Sequence, residues 1–137
     1  MTDMQDFNTK IIEEFRSHGG VVGGQFEGAP LLLLTTTGAK SGQARVTPVV
    51  YRAEGERIFV FASKAGAPVN PDWFHNLKAN PTVTVELGAD EYQATAVELD
   101  RAERDRVYGE HAAANPGFAE YQANTDRVIP VVELVRQ

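Results

Sequence analysis

A short turn flanked by glycines carries the side chains of this chain that are most suited to binding an anion. Residues 35–48 read TTTGAKSGQARVTP, in which Lys40, Ser41 and Arg45 lie between two predicted strands. The flanking glycines permit backbone angles that would aim successive amides at one point. Lysine supplies a charge, serine a hydroxyl donor, and arginine a planar fork that fits a phosphate or a carboxylate. The turn therefore indicates an anion site, and the alternative is an ordinary hairpin turn with solvated charges.

The basic residues around this turn stand out because the whole chain is acidic. Its formal charge is -6, whereas residues 35–70 hold five basic side chains against two acidic ones. A nucleic-acid-binding domain normally has a high pI and a basic face, so we expect an anionic small molecule and no nucleic acid. The chain has no cysteine, and its three histidines are widely separated. We therefore expect no disulfide, no cysteine nucleophile and no metal.

A second stretch, residues 61–77, reads FASKAGAPVNPDWFHNL and could border a flat ring. A strand ends at Ser63 and Lys64, small residues follow, and Trp73 and His75 come on the next predicted helix. Small residues allow a planar ligand to approach the backbone closely. A core anchor is an equally good reading of Trp73, and histidines such as His75 are more often structural than catalytic.

The strand pattern predicts the scaffold that must position these motifs. Alternating and β-branched runs predict strands at 31–36, 44–52, 57–63, 82–87, 91–99 and 128–135. Short turns at Gly55 and Gly88 predict antiparallel hairpins. Six strands must close on themselves or be covered, so the fold should be α+β, a small barrel or half-barrel with flanking helices. Pro48 cannot donate to a ladder, so it should lie at an edge or in a bulge of its strand.

Three of the helices are predicted from their first residues. Asn70 should cap a helix over 71–80. Asp100, with a glutamate three residues later, resembles a capping box for a helix through Ala113. Pro116 should begin the last helix, since proline is favoured at the first helical position.

The chain predicts a single domain over residues 1–137. A first helix covers 7–18, so residues 1–28 form an N-terminal helix and a glycine-rich linker, and residues 29–137 form the barrel. The longest apolar stretch, 31–34, is too short to span a bilayer, and no basic region precedes an apolar run. We expect a cytoplasmic protein without a transmembrane segment, and peripheral membrane contact stays open.

Three strings in this order and spacing carry a resemblance: LTTTGAKSGQARVTPVVY, ASKAGAPVNPDWFHNLKANPTVTVELG and YQANTDRVIPVVEL. They resemble the deazaflavin-dependent nitroreductase family of mycobacteria and related actinobacteria, over nearly the whole chain from about residue 29 onward. The resemblance implies a split β-barrel related to the flavin-binding oxidases. It also implies the 8-hydroxy-5-deazaflavin coenzyme F-420, whose phosphate and polyglutamate tail match the inferred anion site.

The resemblance also implies which residues bind the coenzyme. Two groups are expected, one at the phosphate and tail and one around the ring system. The first consists of Lys40, Ser41 and Arg45, with Gln43 nearby. The second consists of Pro48, Ser63, Lys64 and Trp73. Lys64 could also bind the phosphate or the tail. Ala39 stands where family members often have an arginine, so this chain has one positive charge fewer next to Lys40.

A third group is implied at the hydride acceptor. An aromatic lid would form from the segment that spans Asn115 to Tyr121 and includes Phe118, with Asn115 at a position where a ring is otherwise expected. Helix-core packing is an equal alternative for the two aromatic residues. The family pattern is rich in tyrosine there, and this chain has fewer hydroxyl donors, so the resemblance alone does not imply nitroimidazole reduction. Tyr121 and Ser63 would donate hydrogen bonds to the acceptor oxygen.

The reaction that follows is hydride transfer from the reduced coenzyme to an activated acceptor such as an enone, a quinone or a nitroaromatic compound. Two alternatives stay open. One is a coenzyme-binding or storage module without turnover, and the other is a split barrel that binds FMN. The protein could be a monomer or a homodimer.

Overall fold

A computed structural model describes residues 3–18, 30–63 and 69–137. Within these ranges there are six strands: β1 (Leu31–Thr37), β2 (Ala44–Glu54), β3 (Arg57–Phe61), β4 (Thr82–Leu87), β5 (Asp90–Glu98) and β6 (Val131–Arg136). They form a closed antiparallel barrel in the order β1-β2-β3-β6-β5-β4. The predicted α+β barrel is confirmed, and the strand ends differ from the prediction by a few residues.

Both faces of β1 are buried, which explains its continuous run of leucines. Leu32 and Leu34 belong to the core inside the barrel, whereas Leu31 and Leu33 pack under a helix on the outside. Successive side chains of a strand point to opposite faces, so burial on both faces requires an unbroken apolar run. The covering helix is α1 (Asp3–Ser17).

The remaining helices close the interior and cover the opposite side of the barrel. They are α2 (Asp72–Ala79), α3 (Arg101–Ala114) and α4 (Pro116–Ala123). The apolar face of α2 packs into the barrel core through Trp73, Phe74 and Leu77. The helix α3 packs on Phe59 and Phe61, which point outward from β3. No helix in the described ranges is long and apolar enough to cross a membrane.

The predicted cap of α2 is wrong, whereas the predicted cap of α3 is confirmed. Asp100 accepts a hydrogen bond from the amide of Glu103 at 2.9 Å. Asn70 does not cap α2, which begins one residue later than predicted and has Pro71 at its N-cap. The Asn70 side chain instead accepts a hydrogen bond from Arg127 at 2.8 Å. A charge-assisted bond to a guanidinium is stronger than a neutral one, so the tertiary partner prevails.

The edge position predicted for Pro48 is confirmed. Pro48 lies opposite Leu33 of β1, but β2 pairs with β3 only from Tyr51 to Glu54. Among the described residues, the first half of β2 therefore has one unpaired edge, where the amide that Pro48 lacks would have no ladder partner. Residues 19–28 and 64–68, which include the predicted linker and Lys64, lie outside the described residues.

Candidate functional site

A groove of about 1140 Å³ lies where the cationic turn, α1, the beginning of β2 and the beginning of α2 meet. Its volume slightly exceeds the range of about 300–1,000 Å³ that is usual for small-molecule sites, so a large cofactor would fit. Four predicted coenzyme-binding residues line it: Lys40, Ser41, Arg45 and Trp73. The structure thus brings the predicted phosphate end and one predicted ring residue to the same groove.

Lys40 and Arg45 keep their full charge available to a ligand. Both are exposed, and neither has a carboxylate or other polar partner among the described residues. Ion pairs hold seven other basic side chains: Arg16, Arg52, Arg57, Lys78, Arg101, Arg104 and Arg106. The single acidic residue of the groove lining is Asp72. The groove is therefore cationic within an acidic chain.

The backbone of the turn does not form the amide cradle that was expected. The amide of Gly38 donates to the carbonyl of Gln43 at 2.8 Å, and the amide of Gly42 donates to the carbonyl of Gly38 at 2.9 Å. The amide of Gln43 donates to the hydroxyl of Ser41 at 3.2 Å. Gly42, with φ of 70°, lets the turn close on itself in this way. Among the described residues, the amides of Lys40 and Ser41 remain for a ligand.

The side chain of Asn76 fixes the turn to α2 and β1. Its Oδ1 accepts from the amide of Ala39 at 3.0 Å, and its Nδ2 donates to Thr36 Oγ1 at 3.2 Å. Local patterns hold no signal for this contact because the two partners are 37 and 40 residues away.

Trp73 is a core anchor that also lines the groove. It is buried and belongs to the core inside the barrel, where its ring meets Phe74 edge-on at 6.5 Å. It also contributes to the groove lining. A core anchor of this kind gives the groove a rigid apolar wall.

The other predicted ring residues lie outside the groove lining. Pro48 is one residue beyond Thr47, the last lining residue of β2, and shares the outer face with Val46 and Val50. Ser63 is half-buried and ends the described part of its segment.

Arg127 holds both ends of the segment that carries Ser63. Its Nη1 donates to the Ala62 carbonyl at 3.0 Å and to Asn70 Oδ1 at 2.8 Å, and its Nη2 donates to the Ser63 carbonyl at 2.7 Å. We call this set of bonds the Arg127 clamp. No local pattern marks Arg127, although it lies in the last string of the resemblance.

The three predicted acceptor residues lie together on the α3–α4 side of the barrel. The Phe118 ring contacts Phe61 at 5.4 Å and Tyr121 at 5.3 Å. Phe118 and Tyr121 are both half-buried against the cluster of β3 and α3, and neither lines the groove. The Tyr121 hydroxyl has no hydrogen-bond partner within the described ranges. The side chain of Asn115 donates to the carbonyl of His111 at 3.0 Å.

His111, which the sequence analysis left without a role, is buried between aromatic rings. It stacks on Phe61 with ring centroids 4.3 Å apart and meets the Phe118 ring edge-on at 4.5 Å. Burial lowers the pKa of His111 to about 4, and the positive charge of Arg52 contributes to this shift. The imidazole is therefore neutral at neutral pH.

Comparison with known proteins gives consistent matches over almost the whole chain. The family model of the F-420H(2)-dependent quinone reductases matches residues 9–136. An F-420H(2)-dependent quinone reductase of Mycobacterium tuberculosis is 39% identical over 129 residues, which cover 90% of this chain and 85% of that protein.

Two solved structures are similar in both sequence and fold. An F-420-H2 dependent reductase, FDR-A, is 44% identical with a TM-score of 0.69, over 77% of this chain and 93% of that chain. A structure described as a domain-swapped dimer is 40% identical with a TM-score of 0.72, over 96% of this chain and 97% of that chain.

Proposed function

Because the chain belongs to the family of F-420H(2)-dependent quinone reductases, we propose that it transfers a hydride from reduced coenzyme F-420 to a quinone. Membership confirms the deazaflavin-dependent family that the sequence resembles. One observation carries the proposal for this chain: Lys40 and Arg45, both without a partner in the described ranges, line one groove together with Trp73.

The donor set of the groove fits the polyanionic end of the coenzyme. Lys40 and Arg45 would bind the phosphate and the glutamate tail, and the free amides of Lys40 and Ser41 would add two hydrogen bonds. The Ser41 hydroxyl accepts a bond from the Gln43 amide and keeps its own proton for donation. Gln43 itself supports the turn through its backbone.

The ring system would lie along the outer face of β2 and toward the segment that begins at Ser63. Trp73 and Val46 supply apolar surface in the groove lining, and Pro48 extends the same face. Lys64 would follow on that segment.

When bound, the reduced coenzyme supplies a hydride from C5. The protein's own residues orient the acceptor, exclude water and stabilise the negative charge that develops on the acceptor oxygen. We assign two hydroxyl groups to this task, those of Tyr121 and Ser63. The quinone gains the hydride and one proton from solvent, which yields the hydroquinone. Loss of one such donor should lower the rate by about 10²–10³-fold.

Fluorescence titration tests the choice of coenzyme. We expect F-420 to bind and FMN to bind far more weakly. Lys40→Ala and Arg45→Ala should each weaken F-420 binding by about tenfold or more, since a bond to a charged group contributes about 1.5–3 kcal/mol. Arg101→Ala, which removes an exposed arginine paired with Asp105, is the matched control and should leave binding unchanged. Binding of FMN in preference to F-420 would refute the proposal.

Oxidation of the reduced coenzyme tests turnover. Menadione should oxidise F-420H(2) in the presence of the protein, and this can be followed by absorbance. Tight binding without oxidation by any quinone, enone or nitroaromatic compound would instead identify a storage module.

We also propose that the protein works as a homodimer in the cytoplasm. The similar structure described as a domain-swapped dimer supports the assembly. Light scattering at several protein concentrations tests it, and a monomer at every concentration would contradict it.

A further inference from the structure

His111 is the buried side chain whose polar atom lacks a partner within the described ranges. The residue is 4% exposed, and its Nε2 makes no hydrogen bond. Leaving a buried polar group without a partner costs about 1–3 kcal/mol, and most such groups in proteins are bonded. An apolar residue would fill this position between Phe61 and Phe118 without that cost.

The neighbouring Asn115 determines which nitrogen of His111 carries the proton. Asn115 Nδ2 lies 3.4 Å from His111 Nδ1 and also donates to the His111 carbonyl at 3.0 Å. The second bond fixes the orientation of the amide, because only its nitrogen can donate to a carbonyl. Nδ1 therefore accepts and the proton lies on Nε2. The unpartnered atom is a hydrogen-bond donor.

We infer that the Nε2–H group of His111 donates a hydrogen bond to the oxygen of the hydride acceptor. The inference rests on the proposed function and adds a donor to it. His111 contacts two residues of the proposed acceptor site, Asn115 through hydrogen bonds and Phe118 through its ring. The helix α4, which carries Phe118, has no buried residue of its own. The acceptor would reach Nε2 through a displacement of Phe118, which would have to loosen the bond from the Tyr108 hydroxyl to the Phe118 carbonyl.

The neutral state of the ring suits this role. A neutral imidazole keeps its Nε2 proton while it polarises a carbonyl, as known enzymes with a neutral histidine electrophile do. The hydrogen bond strengthens as the oxygen gains negative charge during hydride transfer. His111 ends the reaction in its starting form, because solvent supplies the proton of the hydroquinone.

Replacing the donor while keeping the ring tests the inference. His111→Phe retains an aromatic ring between Phe61 and Phe118 but removes Nε2–H. We expect kcat/KM for menadione to fall by about 10–100-fold. The Kd for F-420 should stay unchanged. The melting temperature should stay the same or rise, because the variant buries no unpartnered polar atom at this position. His111→Gln can place an amide N–H near the Nε2 position and should recover part of the rate. His18→Phe, at the exposed end of α1, is the matched control.

A spectroscopic readout separates this role from a structural one. In nitrogen-labelled protein with bound F-420, the Nε2 signal of His111 should shift when menadione is added. Full activity of His111→Phe, or an unmoved Nε2 signal, would overturn the inference. If the wild-type protein oxidises F-420H(2) with menadione while His111→Phe is equally active, this inference alone fails. If the wild-type protein oxidises no F-420H(2), the proposed function fails.

Discussion

At the scale of single residues, the charges of Lys40 and Arg45 are what the groove offers to an anionic ligand. Six other arginines are held in ion pairs, such as Arg16 with Glu86, which joins α1 to β4 by two bonds of 2.9 and 2.7 Å. Lys40 and Arg45 have no such partner within the described ranges. A charge that is not already paired loses no existing interaction when a phosphate binds, so these two residues can contribute fully to affinity.

The residue before Lys40 offers a gain-of-function prediction. Ala39 is exposed and lines the groove, and only its backbone amide is engaged, by Asn76. Ala39→Arg should therefore add a cation without breaking this bond and should tighten F-420 binding several-fold at low salt. Titration of F-420 at low and high salt measures this, with Ala39→Gln as the uncharged control. Equal affinity of the arginine and glutamine variants at low salt would show that the tail does not pass this position.

The buried imidazole predicts a pH dependence of stability. The folded pKa of His111 is about 4, below the ordinary value of 6.5, so the unfolded chain binds more protons between these values. The free energy of unfolding should therefore fall as the pH is lowered from 6.5 towards 4, and this contribution should change no further below about 4. Denaturant unfolding across this range measures it. In His111→Phe, the free energy of unfolding should depend less steeply on pH between 4 and 6.5. The same pH dependence in the variant and the wild-type protein would contradict a lowered pKa for His111.

At the scale of elements, the Arg127 clamp connects the chain before β6 with the segment on which Ser63 lies. Arg127→Lys keeps the charge but cannot reproduce a fork that reaches two carbonyls and Asn70. We expect the KM for F-420H(2) to rise several-fold while kcat with menadione changes less, because the clamp positions the coenzyme segment. Steady-state kinetics measure this split.

The control for the Arg127 clamp is Asn70→Ala, which removes one of the three bonds and should give a smaller increase in KM. If Arg127→Lys bound F-420H(2) as tightly as the wild-type protein, the clamp would have no role in positioning the coenzyme.

The sequence predicts those features of the fold that depend on residues close together in the chain. The strands, the hairpins at Gly55 and Gly88 and the Asp100 cap were correct because alternation, turn residues and a capping pair lie within a few positions of each other. The Asn70 cap was wrong because its partner, Arg127, is 57 residues away. The Asn76 contact was missed for the same reason. Neither contact leaves a periodic signal.

At the scale of the whole molecule, a cationic groove on a chain of net charge -6 should make coenzyme binding sensitive to salt. Exposed charges are screened beyond a Debye length of about 10 Å at 0.1 M salt. We expect forms of F-420 with longer glutamate tails to bind more tightly than short-tailed forms at low salt, and this difference to shrink as salt is added. Titrations with coenzyme of defined tail length measure this. A difference that persists at high salt would indicate specific contacts along the tail.

The central claim is that Lys40 and Arg45 bind the phosphate of coenzyme F-420. The most direct measurement is a crystal structure of the protein with the coenzyme bound. We predict that the phosphate lies within hydrogen-bond distance of both side chains and that the ring system extends from Trp73 along the outer face of β2. A phosphate bound away from both Lys40 and Arg45 would contradict the account.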